Sequence, residues 1–278
     1  MMGQASDQLP GVPTPWQPDP SEPVRLDRAE MLRYLGHTGQ AIDAELEERL
    51  ARAVKTAEHA ARPRGVFAVF PVEIADSDKT SAGQPSAARP DALAADGSSA
   101  GTLGSEPLIR LGGTAVELCG RDIFRHLKDA PWAALMACTL GHESERLLHA
   151  VGGRSALDAA LLDAACSALV EATAETLDAH IQRLARDAGL STTWRFSPGY
   201  GDLPLAAQRP VLAALNASRL CGITLTPSLL LMPTKSITAV VGIFDGKRPH
   251  DEAAPGCQSC RLRAACPWRA RGARCFRT

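Results

Sequence analysis

Across residues 155–184 the apolar side chains Leu157, Leu161, Leu162, Ala165, Leu169, Leu177, Ile181 and Leu184 recur at helical period on one face. Ser155 followed by Asp158 supplies a capping-type start. The pattern predicts the longest helix of the chain, and such a stripe must be laid on another element to leave water. The other face carries Asp158, Asp163, Glu171, Glu175 and Asp178, charges that a helix of this kind ordinarily leaves solvated.

Shorter patterns surround it. Asp27 with Glu30 opens a short helix through Leu35, and Ile42, Leu46, Leu50, Val54 and Ala57 mark a second helix that Pro63 stops. Strands are predicted over residues 65–74, 108–111, 114–118 and 132–139, with a short helix around 122–127. A helix over about 208–219 precedes strand-like runs at 223–226, 229–232 and 236–244, the last two read as neighbours. This order predicts an α+β fold, with helices packed around a largely antiparallel twisted sheet. There is no internal repeat and no heptad seam.

Composition divides the chain of 278 residues further. Residues 1–25 hold six prolines and little periodicity, which predicts a flexible leader. Residues 26–246 form the main domain, with a surface insertion at 75–107 rich in Ala, Ser, Gly, Asp and Pro. Residues 247–278 form a cysteine-rich tail. A formal net charge of -1 gives no global bias toward nucleic acid or anionic lipid. No apolar run is long enough for a transmembrane helix, and the opening residues lack a signal-peptide pattern, so neither a nucleic-acid nor a membrane partner is expected. Eight cysteines in that context point to a reducing, cytoplasmic compartment. Cys119, Cys138, Cys166 and Cys221 lie among apolar neighbours and read as packed core thiols.

The chemistry-bearing stretch runs over residues 194–204. Arg195 offers a planar fork of donors suited to a carboxylate, Pro198-Gly199 forces a turn that exposes backbone, and Tyr200 adds a flat face with a polar tip. The set suits a zwitterionic ligand; a strand ending in a turn with a salt-bridged arginine is the alternative. The spacing from Arg195 to Tyr200, followed by Leu215-Asn216-Ala217, Gly222-Ile223-Thr224-Leu225-Thr226, Ser228 and the run from Met232 to Ala239, resembles the reactivation domain of cobalamin-dependent methionine synthase. The stand-alone relatives of that domain are more similar still. They are echoed by Met31-Leu32-Arg33-Tyr34-Leu35-Gly36, Gly39-Gln40, Pro63-Arg64 and Ala137-Cys138-Thr139-Leu140-Gly141.

The resemblance implies reductive reactivation of cob(II)alamin on a partner, with S-adenosylmethionine as methyl donor and an external electron. It implies Arg195 as partner of the methionine carboxylate, Ser197 as a backbone contact, and Gly199 with Tyr200 as turn and face against the ligand. A sulfonium favours an aromatic face and a nearby carboxylate, for which Glu171 is the candidate. No catalytic acid or base is implied, because positioning carries the reaction. No histidine lies in the pattern of a cobalamin-binding module, so cobalamin is expected on a methionine synthase or its cobalamin-binding subunit. The electron is expected from a low-potential donor such as a flavodoxin or ferredoxin. Two departures stand out: the acidic residue expected shortly before the arginine is replaced by Ala188-Gly189-Leu190, and Pro227 separates Thr226 from Ser228.

The tail reads Cys257-x2-Cys260-x5-Cys266-x8-Cys275, a spacing that can surround one metal centre. An iron-sulfur cluster is the preferred reading, since Cys266-Pro267 is similar to the cysteine-proline ending of ferredoxin-type motifs, although the spacings differ from the ferredoxin run, and the implied reaction needs an electron; structural zinc is the alternative. Six arginines and no acidic residue accompany these cysteines, which suits docking of an acidic donor or protein partner. Two other functions stay open: an activator of a different corrinoid methyltransferase, and a non-catalytic zinc-binding interaction protein.

Overall fold

The structure is a computed structural model, and it describes residues 9–75, 107–246 and 264–270. Its centre is an antiparallel sheet built on β2 (Arg64–Ala75), β5 (Trp132–Thr139) and β9 (Ser236–Asp245). Beyond β2 lie β3 (Leu108–Leu111) and β4 (Glu117–Cys119), and beyond β9 lies β6 (Leu190–Thr192), giving the order β4-β3-β2-β5-β9-β6. The register sets Phe67 opposite Met136 and Met136 opposite Ala239. β5 is apolar from Trp132 to Cys138 because both of its faces are covered, the reason an inner strand need not alternate. Ala134, Met136 and Cys138 face one core with Leu177 and Ile181, whereas Ala133, Leu135 and Ala137 face the other with Leu127, Val211 and Leu215.

The long helix, α5 (Ala156–Asp187), starts where the sequence indicates, with Ser155 Oγ accepting from the Asp158 amide at 3.2 Å. It serves two cores in succession. Its N-terminal half packs Leu161, Leu162, Ala165 and Leu169 against α1 (Arg28–Tyr34), α2 (Ala44–Ala60) and α4 (His142–Gly152). Its C-terminal half lays Leu177, Ile181 and Ala185 on the sheet. Close approach at the crossing depends on Gly65: a Cβ there would stand 2.6 Å from the Ala137 carbonyl oxygen and 2.9 Å from Leu177 Cδ2. The opposite sheet face is covered by α3 (Arg121–Leu127), α6 (Gln208–Ala214) and α7 (Ala217–Cys221). The expected α+β architecture is thus the observed one.

Several local expectations change. Within the proline-rich leader, Thr14–Trp16 forms β1, antiparallel to β2, and Trp16 and Leu9 are buried, so that part of the leader is an edge strand. α4 has no counterpart in the sequence reading because its apolar residues Leu147, Leu148 and Val151 are few and only half-buried. The helix expected over 208–219 breaks at Asn216, whose left-handed backbone (φ 47°) redirects the chain into α7. The strand expected over 114–118 shortens to β4 because Thr114 closes a turn on Leu111, its hydroxyl donating to that carbonyl at 2.7 Å. The run at 229–232 does not pair with β9. Only Leu231–Met232 forms a strand, β8, and its partner is β7 (Thr224–Leu225). Residues 76–106 of the expected insertion lie outside the described residues, and the strands flanking it pair directly, with Ala75 opposite Leu108.

Candidate functional site

Arg195 lies in an extended segment following β6 that is latched onto β9. The Thr193 amide donates to the Gly242 carbonyl at 2.9 Å, and Phe196 and Val240 exchange both backbone bonds at 2.8 Å. Thr193 Oγ1 also accepts from the Gly242 amide at 2.8 Å and bonds His126 Nε2 at 2.9 Å. Alternation along an extended chain then separates neighbours onto opposite faces. Phe196 enters the core beneath α3 and α6, and Arg195 turns toward α5.

There the guanidinium meets two carboxylates on one helical face, at positions seven residues apart. Arg195 Nη2 is 3.4 Å from Glu171 Oε2, and Nε is 4.0 Å from Asp178 Oδ2, the second an ion pair without a hydrogen bond. Asp178 is buried. Gln182 Nε2 donates to its Oδ2 at 3.0 Å, whereas Oδ1 is buried with no hydrogen-bond partner among the described residues. Burial pushes the Asp178 carboxyl above its usual range, against the opposing pull of Arg195 and of the Gln182 bond. Tyr34 at the end of α1 is pushed up to about 12, first by burial and next by the Glu171 charge, and the Arg33 guanidinium lies 4.6 Å over its ring. Cys138 in β5 is fully buried, and burial pushes its thiol up to about 12 against the Arg195 charge.

The acidic face of α5 is therefore not simply solvated. Asp163 binds Lys235 Nζ at 2.7 Å, Asp158 binds Arg49 at 3.2 Å, and Glu171 and Asp178 share Arg195. Asp178 was legible only as one charge in that series. Its spacing from Glu171 was a usable signal, but its burial was not.

The turn after Arg195 is tightly bonded. The Tyr200 amide donates to Ser197 O at 3.0 Å, the Gly199 amide to Leu203 O at 2.9 Å, and the Leu203 amide to Tyr200 O at 3.0 Å. Gly199 takes a φ of 90°, which suits glycine. Tyr200 is 54% exposed and its ring meets Phe196 edge-on at 6.5 Å. Arg195 and Glu171 are thus brought together, while half-buried Ser197 and exposed Gly199 and Tyr200 form an adjoining corner.

In the tail, Cys257, Cys260 and Cys275 lie outside the described residues. Cys266 is half-buried, and its carbonyl accepts from the Ala270 amide at 3.0 Å at the short helix α8 (Pro267–Ala270). Among the described residues no group of three His, Cys, Asp or Glu side chains is placed to hold a metal ion. No helix among them is long and apolar enough to cross a membrane.

No family model matches this chain, and no curated protein matches it in sequence. In three dimensions the sheet with one long helix laid across it is an arrangement that solved structures share. A solved structure that shares it is a crystal structure of the MetH reactivation domain bound to AdoHcy, which is 15% identical and superposes with a TM-score of 0.53. The match covers 95% of this chain and 89% of that one. At this identity the likeness is one of fold.

Proposed function

We propose that this chain binds S-adenosylmethionine at Arg195 and reactivates cobalamin carried by a partner methionine synthase. The observation that carries the reading is a cation held between two carboxylates, one of them with a buried oxygen that has no hydrogen-bond partner among the described residues, on a fold shared with a domain that binds AdoHcy. Such a surface offers both signs of charge to a ligand that carries a carboxylate, an ammonium and a sulfonium. When bound, S-adenosylmethionine supplies the methyl group; with one electron from an external donor, cob(II)alamin on the partner becomes methylcobalamin and S-adenosylhomocysteine is released.

The residues of this chain bind and orient. Arg195 holds the ligand carboxylate through charge-assisted bonds, Ser197 contributes backbone, and the Gly199-Tyr200 corner covers the ligand. Glu171 and Asp178 hold negative charge beside its cationic groups. No side chain is required to move a proton, and the protein contributes position and exclusion of water. The tail cysteines Cys257, Cys260, Cys266 and Cys275 would hold the centre that receives the electron.

Titration with S-adenosylmethionine, with and without a cobalamin-loaded methionine synthase, tests the reading. Saturable binding to the isolated chain and recovery of the methylcobalamin spectrum on the oxidised synthase are expected. Stoichiometric corrin retained by this chain after purification without a partner contradicts the carrier-supplied cofactor.

A further inference from the structure

The turn that bears Ser197, Gly199 and Tyr200 is fastened at its far end to a helix on the other side of the chain. Helix α3 begins after Gly120, which offers no side chain to cap it. The cap comes instead from Asp202: its Oδ2 accepts from the Arg121 amide at 2.8 Å and its Oδ1 from the Asp122 amide at 3.0 Å. An anionic acceptor satisfies two otherwise open amides there. The approach is close in both directions. A Cβ on Gly120 would stand 2.5 Å from Asp202 Oδ1, and a Cβ on Gly201 would stand 2.5 Å from Asp122 Oδ2. Two glycines and two aspartates therefore interlock across the junction, and Gly201, with a φ of 52°, takes a backbone conformation that side chains disfavour.

The opposite end of the turn is held by the Phe196–Val240 bridge. Between these two anchors, Gly199 and Tyr200 face solvent. A loop pinned at both ends has lost its conformational freedom before a ligand arrives, so binding need not bear that ordering cost.

We propose that Asp202 is a positioning residue that pre-organises the 197–201 turn for ligand through its clasp on α3. This rests on the S-adenosylmethionine reading, because it assigns the turn to the same ligand. Both Asp202 carboxylate oxygens are engaged on the α3 amides, so its loss weakens binding while leaving turnover at saturation intact.

The test compares the full chain with D202A and D202N. Calorimetry with S-adenosylmethionine reads the dissociation constant, hydrogen exchange reads the Gly199 and Leu203 amides, and reactivation assays with a cobalamin-loaded synthase separate KM from kcat. D202A is expected to raise the dissociation constant and KM by roughly tenfold, with kcat unchanged and faster exchange at both amides. D202N keeps one acceptor oxygen and falls between; it also serves if D202A does not fold. A folded variant that binds S-adenosylmethionine as the parent does overturns the inference. If R195A loses binding while D202A keeps it, the function stands and the clasp has no part in it. A parent protein that does not bind S-adenosylmethionine removes both.

Discussion

Arg195 Nη2 lies 3.4 Å from Glu171 Oε2, tying the segment beside the sheet edge to the middle of the long helix. The same guanidinium is 4.0 Å from the buried Asp178, so one cation answers two carboxylates and neither contact is tight. A third carboxylate, brought by a ligand, can compete for a fork held this loosely.

Replacing Arg195 with alanine is expected to weaken S-adenosylmethionine binding by more than about tenfold, as a charge-assisted contact to the ligand carboxylate disappears. Lysine should rescue poorly because it lacks the planar fork. Calorimetry on the three proteins checks this; unchanged affinity in the alanine variant takes Arg195 out of the site.

Asp178 gives a pH signature. Burial holds its carboxyl above the ordinary range in the folded protein, so the unfolded chain binds fewer protons between the two pKa values, and stability falls as pH rises through that window. The destabilisation is absent below the unfolded carboxylate pKa of about 3.9. Asp178→Asn removes the ionisation and should therefore be more stable than the parent at pH 7, with the difference shrinking toward pH 4. Denaturant unfolding at the two pH values measures it, and a variant whose advantage grows on acidification contradicts the assignment.

The buried thiols should be inert in the native state. Burial pushes Cys138 up to about 12 and Cys166 and Cys221 up to about 11, so each is protonated at pH 8 and closed to solvent. An aromatic disulfide reagent at pH 8 is expected to leave all three unmodified until denaturant is added. Peptide mapping that finds label at Cys138 in the folded protein refutes this.

Cys257, Cys260, Cys266 and Cys275 are expected to bind one metal centre, an oxygen-sensitive iron-sulfur cluster rather than zinc. Substituting Cys260 should spare S-adenosylmethionine binding and abolish electron-dependent reactivation. Anaerobic purification followed by iron, acid-labile sulfide and zinc analysis decides the metal. Zinc without iron or sulfide makes the tail structural, as does full reactivation after removal of residues 257–278.

Local order supplied much of the framework. β5 spans Trp132–Thr139 as its apolar run indicates, and Ser155 caps α5, because strand burial patterns and N-caps are read from residues close together in the chain. The motif around Arg195 was legible for the same reason, a fork, a turn and an aromatic at short spacing. What the tertiary structure alone decided is which charges leave water and which strands meet. Asp163, Glu171 and Asp178 are alike on a helical wheel, yet Lys235 answers one and Arg195 the other two, and only Asp178 is buried. β1 pairs with β2 despite Pro15, β8 pairs with β7 and not with β9, and Asp202 caps a helix that begins at Arg121. Each outcome depends on segments far apart in sequence reaching the same place. Desolvation, capping at a distance and strand partnership are energies of that encounter, and no window of neighbouring residues contains them.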